Sequence, residues 1–75
     1  MVTITVRFSS WQLTANEVVE LQKLLVEFLG ANHNGARRQL VDALFSGFPV
    51  CMRVHSEREA EFSEKMRELG AHISN

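Results

Sequence analysis

With one cysteine in 75 residues, the chain has no partner for an internal disulfide, which suits a reducing compartment. It has no surplus of positive charge: eight Lys and Arg stand against nine Asp and Glu, a formal charge of −1. A basic footprint for nucleic acid or anionic lipid is therefore missing. No apolar run is long enough to span a bilayer. The opening "MVTITVRFSS" lacks the basic start and apolar centre of a secretory signal. There is no phosphate-binding Walker loop and no G-x-G-x-x-G. Internal repeats, linkers and low-complexity stretches are absent too. What is present, 45% hydrophobic and 23% charged residues, is ordinary for a globular domain. These features predict one soluble, cytoplasmic domain over residues 1–75, with a core that provides only a narrow margin of stability.

Val2, Ile4, Val6 and Phe8 alternate with polar residues, the period of a strand with one buried face. Thr14 and Glu17 have capping-box spacing, and Val18, Leu21, Leu24, Leu25, Phe28 and Leu29 form a helical stripe up to Gly30. "GANHNG" reads as a turn-rich loop. In "ARRQLVDALFSGFP" the apolar residues Ala36, Leu40, Val41, Leu44, Phe45 and Phe48 recur in steps of three and four, so this segment is predicted helical. Gly47 and the single proline, Pro49, stop it. Val50, Met52 and Val54 alternate as a second strand. Ser56 and Glu59 repeat the capping-box spacing before a third helix with Phe62, Met66 and Leu69 inward. Gly70 then leads into a short last strand around Ala71 and Ile73. The predicted class is α+β, a two-layer β-α-α-β-α-β domain with three helices on one face of a three-stranded sheet. Right-handed crossovers make the second and third strands parallel, with the first between them and antiparallel to both. The open face would carry Thr3, Thr5, Arg7, Cys51, Arg53, His55 and His72.

This order, clearest in "QLVDALFSGFPVCMRVHSEREAEFSEKMRELGAHIS", resembles the C-terminal domain of the bacterial large-subunit ribosomal stalk protein and the similarly folded Clp-protease adaptor ClpS. The stalk resemblance implies docking of a larger machine on the first two helices, at positions that fall on Val19, Gln22, Lys23, Val26 and Asp42. Lys23 keeps the family's charge there and Val19 its apolar character. Val26 and Asp42 stand where that family is basic, and no dimerising N-terminal region is present. The adaptor resemblance implies capture of a substrate's amino terminus by an acidic segment and a histidine. Ser9, Ser10 and Trp11 replace the first, and Leu44 or a neighbour the second.

Cys51, His55, His72 and His33 are the residue types that hold zinc, which takes about four ligands at about 2.0–2.3 Å. Cys51 and His55 are four strand positions apart, roughly 13 Å, and His72 belongs to a different strand. No metal, cofactor or Cys–His catalytic pair is therefore expected. The acids between Glu57 and Glu68 read as a solvated helix face. Arg37 and Arg38 open the second helix, where anions are attracted, and with the open sheet they form the alternative, a nucleic-acid-binding regulator.

The first helix has the widest signal. Val19 and Val26 extend its apolar arc to about 200°, more than a one-sided helix needs. Either the second helix covers that flank, or Val19, Gln22 and Val26 form an exposed ridge for another protein or a second copy. The leading expectation is a non-enzymatic interaction module acting on a larger bacterial or phage machine. It would bind through Val19, Gln22, Lys23 and Val26, with Arg38 and Asp42 at the rim. Trp11 is either a lid over one end of the core or a binding hot spot.

Overall fold

A computed structural model describes residues 1–74. Alternating residues make β1 (Val2–Arg7) and β2 (Val50–Val54), and His72–Ser74 is β3. The helices are α1 (Ala15–Leu29), α2 (Asn34–Phe45) and α3 (Glu59–Glu68), the last entered through a 3-10 turn, Ser56–Arg58. The order is the predicted β-α-α-β-α-β. β1 is central, antiparallel to β2 on one side and to β3 on the other, in the order β2-β1-β3.

Register places Val2, Ile4 and Val6 opposite Val54, Met52 and Val50, and Val6 also opposite Ile73. These side chains share the inner face, because directly opposed residues in an antiparallel pair point the same way. Ile4, Val6, Met52 and Val54 are buried there with Leu21, Leu25, Leu44, Phe62 and Met66, so all three helices contribute to one core. Val18, Leu29 and Leu69 lie half-buried at its margins. Thr3, Arg7, Cys51, Arg53, His55 and His72 are exposed on the opposite side and Thr5 is half-buried, as the alternation predicted.

α1 begins with the predicted capping box: Thr14 Oγ1 accepts from the Glu17 N–H, and Glu17 Oε1 accepts from the Thr14 N–H. It ends at Gly30, whose φ of 68° is left-handed and whose N–H closes the last turn. Two local expectations fail. Ser56 makes no cap bond, because the chain first turns through 3-10 geometry, with the Arg58 N–H donating to the His55 carbonyl. α2 also starts earlier than expected, inside the "GANHNG" loop. His33 is its N-cap, with Nδ1 accepting from the Gly35 N–H at 3.1 Å. A Cβ at Gly35 would lie 3.1 Å from that ring, so glycine gives the cap its room.

The apolar stripe of α2 is only partly covered. Leu44 is buried, Leu40 and Val41 are half-buried and Phe45 is 62% exposed; Phe48, expected in the same stripe, lies beyond the end of α2 at Phe45 and is 63% exposed. Trp11 meets buried Phe8 and exposed Phe45 edge-on, with ring centroids 5.2 and 5.5 Å away. It is half-buried and packs against the core, as a lid at that end would. Among the described residues, no helix is long and apolar enough to cross a membrane.

Candidate functional site

α1 and α2 pack side by side, and the flank they share is indented. Two neighbouring clefts lie there, of about 520 and 340 Å³. Gln22 and Arg37 line both. The larger also takes in Arg38, Val41 and Asp42 with the Asn34–Gly35 start of α2. The smaller takes in Val19, Lys23, Val26 and Glu27. All six residues expected to bind a partner (Val19, Gln22, Lys23, Val26, Arg38 and Asp42) therefore line one continuous surface. Positions 19, 22, 23 and 26 follow the helical repeat, which is why they share a face of α1.

The question of coverage divides between the two valines. Val19 is 50% exposed, whereas Val26 is half-buried. α2 thus packs against the flank without closing over it.

Two charges on this surface are already engaged. Arg37 donates to the Ala31 and Asn32 carbonyls at 3.1 and 2.9 Å and to Asn34 Oδ1. Its guanidinium ties the α1–α2 connection to the first turn of α2. Glu27 pairs with Arg58 at 2.9 Å. Arg58 also reaches Glu61 and sits 4.1 Å from the Phe28 ring centroid. The hydrogen bond to Glu27 is the main cause that raises the Arg58 pKa above its ordinary value; desolvation opposes it, and the charge and hydrogen bond of Glu61 add to the rise. Among the described residues, Lys23, Arg38 and Asp42 form no ion pair, so they are the charges left free at this rim.

Arg37, which the sequence assigns only to a nucleic-acid patch, lines this surface, as do Asn34, Gly35, Val41 and Glu27, which are not among the expected partner-binding residues. Val41 carried a usable signal, since its helical spacing from Arg37 and Arg38 puts it on their side of α2. The Asn34–Gly35 contribution was hidden because the pair reads locally as a turn.

The histidines are dispersed. His33 caps α2, His55 follows β2, and His72 lies across the central strand from Cys51. Among the described residues, no three His, Cys, Asp or Glu side chains are grouped as metal ligands. Ser9 Oγ lies 3.1 Å from His72 Nε2, a pairing not foreseen. Among the described residues no acid pairs with His72 to orient that imidazole. Trp11 lies outside both clefts. Comparison with protein-family models, curated proteins and solved structures finds no match to this chain.

Proposed function

We propose that the chain is a non-enzymatic interaction module that docks a partner protein on the α1–α2 flank. The observation that carries this reading is Val19. It is a β-branched apolar side chain, half-exposed on a helix whose opposite face fills the core, and it borders a cleft. The polar rim of Gln22, Lys23, Arg38 and Asp42 around Val19 and Val26 has the make-up of a small recognition surface. The stalk-domain resemblance supports the same surface, because its implied docking positions fall on these residues. A small adaptor acting on a larger bacterial or phage machine in the cytoplasm fits the size, the charge and the single unpaired cysteine. The nucleic-acid alternative is weakened at Arg37, whose guanidinium is held by three acceptors of its own chain.

The test compares proteins retained from native lysate by the wild type and by Val19→Glu. A specific partner should be lost with the variant while thermal stability changes by no more than about 0.5 kcal/mol, as for a surface substitution. Equal retention by both forms overturns the reading. Retention that survives Val19→Glu and falls steeply with salt indicates nucleic acid instead. Loss of a concentration-dependent dimer in light scattering would identify the partner as a second copy.

A further inference from the structure

Charge is divided between the two layers of this fold. The helices and the 3-10 turn hold all nine acids and six of the eight Lys and Arg, a formal −3. The strands hold Arg7, Arg53 and His72 and no acid, a formal +2 with histidine neutral, and His55 follows β2 directly. A chain of overall charge −1 therefore presents an open sheet face that is entirely cationic or neutral.

Within that face, one end gathers hydrogen-bond donors. Arg7 is the direct cross-strand neighbour of His72, and Thr5 of Ser74. Opposed residues of an antiparallel pair stand about 5 Å apart, and positions i and i+2 of a strand about 7 Å apart on the same face. The four side chains thus occupy the corners of a rectangle roughly 5 by 7 Å. A cavity of about 400 Å³ lies over it, with Pro49 and Ile73 completing the lining. Arg7, His72 and Ser74 are exposed, and among the described residues Arg7 makes no ion pair.

We propose that Thr5, Arg7, His72 and Ser74 form a binding site for a phosphate-sized oxyanion. Arg7 supplies charge and a planar fork of N–H donors matched to two anionic oxygens. Thr5 and Ser74 supply hydroxyls that rotate to donate. If the Ser9 hydroxyl donates to His72 Nε2, the ring proton sits on Nδ1, and the second nitrogen also becomes a donor. The exposed residues of this face include no Phe, Tyr or Trp on which a base could stack, so a compact anion suits it better than a single-stranded nucleic acid. The phosphoryl group can be free phosphate or an ester carried by a larger molecule, since the cavity opens on an exposed face.

The proposal does not depend on the α1–α2 reading. Its test is an amide NMR titration of the 75-residue chain with inorganic phosphate and, separately, methyl phosphate. The pH is fixed and ionic strength is balanced with sodium chloride. Saturable shifts centred on Thr5, Arg7, His72 and Ser74 are expected from at least one ligand. Saturation with phosphate alone indicates the free ion, and saturation with both indicates a site open to esters. Arg7→Gln should weaken binding about tenfold or more, the cost of one charge-assisted contact, whereas Arg67→Gln, at an exposed position on α3, should leave it unchanged. His72→Gln provides a second variant should Arg7→Gln fail to fold. Shifts that never saturate, that chloride reproduces, or that persist in both sheet variants overturn the proposal.

Discussion

Arg58, at the end of the 3-10 turn that leads into α3, reaches two carboxylates and an aromatic face at once: Glu27 on α1, Glu61 in the first turn of α3, and the ring of Phe28 on α1. Phe28 in turn packs on Phe62, with centroids 5.2 Å apart, so an exposed guanidinium rests on the edge of the core. Arg58→Ala should lower the melting temperature more than Arg58→Lys, because lysine keeps the charge and stem but loses the planar fork. The Arg58 pKa is raised in the folded state, so its contribution is fully present below the ordinary guanidinium range and is lost only as pH rises through the still higher folded value. The melting-temperature difference between wild type and Arg58→Ala should therefore stay flat from about pH 7 to about pH 10. Thermal melts across that interval check both statements. The contacts with Glu27 and Phe28 were not readable from sequence spacing, because Arg58 meets them only when α3 packs on α1; the Glu61 pair alone has local, i,i+3 spacing.

Two Ser/Thr-x-x-Glu sequences that look alike behave differently as helix starts. Thr14 and Glu17 form both bonds of the box, whereas Ser56 has no cap bond. Thr14→Ala should destabilise the fold by about 1 kcal/mol, and Ser56→Ala by less than about 0.5 kcal/mol. Urea unfolding of the two variants separates these outcomes. The element order, the topology and the inner face were legible because alternation and helical spacing report directly on burial. The start of α2 was not, because histidine is an unusual N-cap and Asn34–Gly35 is ordinarily turn chemistry. Nor does an apolar stripe say what lies against it: Phe45 and Phe48 fit the helical spacing, yet α2 ends at Phe45 and both rings are exposed. The candidate site was half legible for the same reason. Helical spacing placed Val19, Gln22, Lys23 and Val26 together, but the clefts and the engagement of Arg37 and Glu27 follow from how the neighbouring elements pack.

At the scale of the whole molecule, one core joins every element, and the single tryptophan reports on it because Trp11 packs on Phe8. Unfolding followed by Trp11 fluorescence and by far-ultraviolet circular dichroism should give coincident transitions, as for a small two-state domain. A fluorescence change that precedes the loss of helix would show the Trp11–Phe45 end melting on its own. The layered charge distribution was available in the sequence once the elements were placed, since every acid falls in a helical segment. Its meaning depended on the register that sets Arg7 beside His72. The position of β1 has a further consequence for how the molecule is made. Of the three described strands, the one made first is the central one, and its second neighbour is written in residues 72–74. A growing chain must hold Thr5, Val6 and Arg7 without that neighbour until nearly every other described residue has been added. The sheet is therefore complete only once β3 has been made, and a chain cut short before His72 lacks that half of the pairing of its central strand.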